Sequence, residues 1–209
     1  MKRKPLIFTA FAIAIVIAAV IIFNYFTANN TQNKEKRESI KVTIAHAICD
    51  ENGERYGGEA GDQTGDEVHR RSYYKSSWLA VVRAKNPEAA EIIASSAEAA
   101  CDNENIGYDQ YERTTLYECA KAANWDLSKI DKKCETDCSA LVSVCVNAAG
   151  IKVSRDIYTG NLKEKLIDTG EFELLTEDKY TEKPNDLKRG DILIKKGHTV
   201  IVLSNSNTN

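Results

Sequence analysis

Two residues of this chain have the types and settings that thiol chemistry requires. Cys138 opens an apolar stretch in Asp137-Cys138-Ser139-Ala140-Leu141-Val142. His198 stands some sixty residues later, after Gly190-Asp191-Ile192-Leu193-Ile194. A thiol attacks as its thiolate, and the free N–H groups of a helix N-terminus, worth about half a positive charge, lower a thiol pKa. The same N–H groups can donate to the oxyanion that forms when a carbonyl is attacked. Asp137 stands where a helix cap would. His198 follows the turn Lys196-Gly197, and an imidazole there, with a usual pKa of about 6.5, suits a general base. Each residue also has a plainer reading: Cys138 as the first core residue of a helix, His198 as a surface residue at a strand start. Read as a pair, they predict a thiol hydrolase whose fold brings them together.

A metal centre is the competing use of such residues. Cys134, Cys138 and Cys145 with His198 would supply four ligands, but only Cys134 and Cys138 have the close spacing of structural zinc sites. Cys145 lies two helical turns from Cys138, about 10 Å along the axis, too far to share one ion with it. The expectation is therefore no metal and no organic cofactor. The six cysteines suggest disulfides in an exported chain, Cys134–Cys138 included. With one held back as a nucleophile, though, five cannot all pair. Cys101, Cys119 and Cys145 fall on apolar helical positions and read as inert thiols.

The elements that would position the pair follow from periodicity. Residues 40–49 alternate and read as a strand, ended by a turn at 50–53, with a glycine-rich loop at 57–65. Asn86-Pro87-Glu88 starts a helix running to about Asp102. Asp109 and Glu112 fit a capping box for a helix over 110–123. A third helix begins at Cys138 and stops before Gly150, and a short one spans 161–168. Strands are expected at 171–175, 191–195 and 198–203, the last two joined as a hairpin at Lys196-Gly197. Helices followed by an antiparallel sheet make an α+β domain.

The N-terminus has its own message. Lys2-Arg3-Lys4 precede an apolar run from Leu6 to Phe23, and roughly 20 such residues span a bilayer. The sequence predicts an N-terminal signal-anchor or transmembrane helix over 1–28, a polar linker over 29–39 and one domain over 40–209. The basic cluster keeps the N-terminus cytoplasmic, so the domain faces outward, or is secreted if the segment is cleaved. Removing Lys2, Arg3 and Lys4 from the formal charge of −3 leaves −6 for the rest. An acidic domain has no electrostatic footprint for nucleic acid.

The segments Asp137-Cys138-Ser139-Ala140-Leu141-Val142, Leu187-Lys188-Arg189-Gly190-Asp191-Ile192-Leu193 and the run from His198 to Asn205 resemble the Cys and His motifs of NlpC/P60 and CHAP papain-like peptidoglycan hydrolases. The glycine-rich loop, residues 105–120 and 147–151 resemble amidohydrolase domains of phage endolysins, so the likeness covers about 40–205. It implies a papain-like fold of helices packed on an antiparallel sheet, with Cys138 as nucleophile and His198 as base. The implied partner is peptidoglycan, and the implied reaction is cleavage of an amide in its stem peptide. Such families place a third polar residue on the strand after the base. Here the nearest candidate, Asn205, lies ~23 Å along a straight strand. Asp62 and Gln63 are therefore the expected orienting or oxyanion groups, with His46 on the first strand as the other candidate. Tyr108 and Asp109, near Gln110 and Arg113, are the expected substrate-binding residues; Asp109 also reads as a cap. Trp78, Trp125 and Tyr158 read as core or glycan contacts. The competing functions are a thiol amidase or acyltransferase acting on protein, and a wall-binding module of the same fold without catalysis.

Overall fold

A computed structural model describes residues 20–25, 27 and 42–206. The chain divides into two units, residues 1–40 and 41–209. In the first, residues 20–25 and 27 are helical. No helix among the described residues is long and apolar enough to cross a membrane. All but the last four residues of the run from Leu6 to Phe23, and the whole linker over 29–39, lie outside the described residues.

The second unit is α+β. Its strands are β1 (Thr43–Ala47), β2 (Val68–Ser72), β3 (Ala80–Ala84), β4 (Ile106–Tyr108), β5 (Cys134–Thr136), β6 (Phe172–Leu175), β7 (Ile192–Lys195) and β8 (His198–Val202). Its α-helices are α1 (Pro87–Cys101), α2 (Thr115–Ala122), α3 (Cys138–Ala148), α4 (Leu162–Ile167) and α5 (Asp178–Thr181). The main sheet runs β2-β1-β8-β7-β3-β6 with every neighbour antiparallel. β4 and β5 form a small parallel pair.

Period-two alternation gives this sheet two apolar faces. Ala45, Ala47, Val82, Ile192, Ile194 and Ile201 point into a core shared with α1 and α3. Val42, Ile44, Val81, Leu193, Val200 and Val202 face a smaller cluster around Trp78 and Leu187. Central β8 places its last-formed pairing between the first and second-last strands: Ile44 opposes Val202 and Ala45 opposes Ile201.

Local signals set several elements. Asn86 caps α1 by accepting from the Glu88 N–H at 2.9 Å. Gly197, with φ 75°, makes the β7–β8 turn, where a side chain would be strained. The helix expected from residue 110 instead begins at Thr115. Asp109 does not cap it: its carboxylate accepts the Tyr111 N–H at 2.7 Å, and its own N–H donates to the Thr136 carbonyl.

The Gly190-Asp191 dipeptide is structural. At φ 87°, a Cβ on Gly190 would stand 2.3 Å from the Ala90 carbonyl oxygen of α1. Asp191 is fully buried and clamps Arg83 of β3 through two contacts of 2.7 Å. It also accepts the Lys188 N–H at 2.7 Å. Removing one partner of such a pair strands a buried charge, so Asp191→Ala is expected to cost about 3–5 kcal/mol. Urea unfolding of the variant checks this.

Candidate active site

α3 carries Cys138 at its first position. Asp137 caps it, Oδ1 accepting the N–H groups of Ser139 at 2.8 Å and Ala140 at 2.7 Å. The other oxygen, Oδ2, receives Arg113 Nη1 at 2.7 Å. Arg113 also donates to Ser139 Oγ and to the Ile157 carbonyl. A half-buried guanidinium thus holds the head of the helix through three contacts.

β8 packs against that helix. The backbone N–H groups of Thr199, Ser139 and Cys138 itself act to lower the pKa of the Cys138 thiol, and Thr199 is the residue after His198. Cys138 and His198 are each 7% exposed. Charge on the sulfur bears on the hydroxyls of both Tyr74 and Tyr108, which places these two rings nearby. Charge on Asp137 bears on His198.

Continuing the β1–β8 register puts His46 opposite Val200, diagonal to His198 on the same face. The two imidazole centroids lie 4.9 Å apart, edge to face. Tyr74 Oη is 3.3 Å from His46 Nε2, and the Trp78 ring is 6.4 Å from His198. His198 Nε2 and His46 Nδ1 are buried without hydrogen-bond partners.

Electrostatics set the resting state. Burial first, then Asp137, pushes the Cys138 thiol up to about 12 in spite of the N–H groups around it. Burial, then Lys195, Arg55 and Arg71, pull His198 down to about 4. Burial and the neighbouring His198 bring His46 to about 3. Near neutral pH the pair is therefore a neutral thiol and a neutral imidazole. Dehydration outweighs the helix dipole, which the sequence reading expected to dominate.

The glycine-rich loop sits beside β4. Asp62 accepts the N–H groups of Thr64, Gly65, Glu67 and Val68. Gln63 Nε2 donates to the Ala60 and Gly61 carbonyls at 2.9 and 2.8 Å. Both side chains are engaged within their own loop. Buried Glu135 takes the Gly61 N–H at 2.7 Å, and Glu67 takes those of Gln63 and Tyr108 at 2.8 and 2.9 Å. Gly107 is needed for this packing, since a Cβ there would lie 2.5 Å from the Gly61 oxygen. Tyr108 is buried, its hydroxyl accepting from Gln110 at 2.9 Å. Asn205 accepts the Arg189 N–H at 3.0 Å. No cluster of three or more His, Cys, Asp or Glu among the described residues could hold a metal ion. The six cysteines are free thiols in the structure.

A family model described as the endolysin-like domain matches residues 44–209. The chain belongs to the endolysin-like domain family. No curated protein and no solved structure matches it. The match begins in β1 and takes in every element of the second unit that follows. Membership makes this endolysin-like domain phage-lysin-like in type and is consistent with a cell-wall lytic role on peptidoglycan. Sequence reasoning did not single out Tyr74, and it left Trp78 as core or glycan contact. Arg113 was grouped with Tyr108 but not with the nucleophile helix, because side-chain reach across 24 residues leaves no periodic trace.

Proposed function

We propose that this endolysin-like domain is a papain-like cysteine amidohydrolase, of NlpC/P60 or CHAP kind, cutting an amide of the peptidoglycan stem peptide. One observation carries the reading. The strand that begins at His198 packs against the helix that begins at Cys138, with the His46 ring beside the imidazole. His198 takes the thiol proton as the sulfur attacks the carbonyl. This general-base route needs no preformed thiolate. The Cys138 N–H donates to the oxyanion, because Asp137 already engages those of Ser139 and Ala140. The amide nitrogen leaves with the proton from His198, and water attacks the thioester to release the acid. His46 serves as the orienting residue in place of Asp62 and Gln63. Tyr108 and Asp109 serve the substrate side through the backbone around them. The run from Leu6 to Phe23 tethers the domain outside the cell membrane.

The direct test incubates the full chain with purified cell walls and reads released fragments by mass spectrometry. New paired amine and carboxylate termini within the stem peptide, or at its junction with the sugar, are expected. Intact walls with cleavage of an unrelated protein would instead favour a protein-directed amidase. His46→Ala should lower kcat on the order of 100-fold by loosening the imidazole, a smaller loss than removing Cys138 or His198. Steady-state rates on a soluble stem peptide measure it.

A further inference from the structure

The described part of the chain has seven arginines. Arg70, Arg83, Arg113, Arg155 and Arg189 each bond a carboxylate within the domain. The two left over, Arg55 and Arg71, both bear electrostatically on His198, as does Lys195. In a domain of net negative charge, the two guanidinium groups without an ion pair among the described residues therefore both act on the imidazole.

Sheet register and ring contacts place two of the three cations. Lys195 opposes His198 across the β7–β8 hairpin. Its ammonium donates to Ser76 Oγ at 2.7 Å and lies 5.3 Å over Trp78 and 5.7 Å over Tyr74. Arg71 opposes Ile44 on β2, and its guanidinium stands 4.8 Å over the Tyr74 ring. Arg55 lies on the loop whose carbonyl accepts the Gln110 N–H at 3.0 Å, on the Tyr108 side. Asp137, the acid that bears on His198, is engaged with Arg113 and the helix N–H groups, and Asp109 with the Tyr111 N–H. Aromatic faces support the two cations of the sheet, and among the described residues no carboxylate forms an ion pair with any of the three.

Resting on the thiol–imidazole reading above, we propose that Arg55, Arg71 and Lys195 form an anion-recognition rim. It selects peptides that carry free carboxylates beside the scissile amide over peptides in which those groups are amidated. Arg71 and Arg55 offer planar forks for a carboxylate. Lys195 keeps N–H groups to spare after its bond to Ser76.

The test measures binding, so it does not depend on turnover. The full chain with Cys138→Ala is titrated calorimetrically, at low salt, with an acetylated Ala–Glu–Lys–Ala peptide bearing free carboxylates and with its fully amidated counterpart. The acid form should bind roughly tenfold or more tightly, and each cation-to-Gln change should weaken it roughly three- to fivefold. Together, Arg55→Gln, Arg71→Gln and Lys195→Gln should erase the preference, whereas Arg71→Lys and Lys195→Arg should retain most of it. Equal affinity for the two peptides, no binding of either, or a preference that survives the triple change overturns the rim. The wild-type wall digest reports separately on the hydrolase reading. Cleavage indifferent to amidation sinks the rim alone, while acid-selective binding without cleavage supports the rim and sinks the hydrolase.

Discussion

Replacing Cys138 with alanine should abolish release of wall fragments, lowering kcat by about three to six orders of magnitude while the fold persists. The size follows from the sulfur's place in the proposed cycle, where it makes and breaks the covalent bond. The fold should tolerate the change because the cap of α3 is made by the Asp137 carboxylate and Arg113, which the substitution leaves in place. The variant should show an unaltered urea midpoint within about 1 kcal/mol beyond the loss of one small buried side chain. Retained wall digestion would mean that the domain acts without its thiol. Labelling gives a second view: with the thiol held at about 12 by burial, iodoacetamide should modify Cys138 slowly at pH 7 and faster as pH rises.

The second large effect concerns His198. His198→Ala should approach the Cys138→Ala loss, since a neutral thiol without a base seldom attacks. The pH profile is more specific. The base works when neutral, and its pKa is lowered to about 4, chiefly by burial and then by Lys195, Arg55 and Arg71. Activity should therefore hold through pH 5–6, where an ordinary histidine would already be protonated, and fall as pH drops through about 4. Lys195→Gln should move that acid limb upward. The same depression has a stability cost with a fixed sign. The unfolded chain takes up protons at its His positions near pH 6.5, before the folded chain does. Stability is therefore lost as pH falls from about 6.5 toward 4, and His46, at about 3, adds to it. Activity at low pH must be read beside a melting curve for this reason. An acid limb near 6.5 in a fully folded sample would refute the assignment of a buried His198.

Elements with both a period and a boundary residue were legible in the sequence. α1 between Asn86 and Asp102, α3 from its Asp137 cap, and the β7–β8 hairpin at Gly197 fall where the spacing placed them. β3 was not legible: Ala80–Ala84 is a short run buried on both faces apart from Arg83, without alternation to mark it. β2 was hidden for the opposite reason, as Val-His-Arg-Arg-Ser on a sheet edge is mostly polar. Of the site, Cys138 and His198 could be named because each follows a local signal. The neighbour of His198 could not be chosen from three candidates, because sheet order decides it. Only the pairing of β1 with β8 sets His46 against that ring. The thiol's raised pKa was equally invisible, since dehydration depends on everything packed around the sulfur.

β8 is the final strand, yet it occupies the middle of the sheet between β1 and β7. A partly synthesised chain thus carries its thiol before it carries the imidazole, and β1 then lacks its β8 partner. On the proposed mechanism, the nascent protein is harmless to the wall until His198 has been added. Truncation just before residue 198 would leave a thiol with no proton acceptor and a sheet split down its centre.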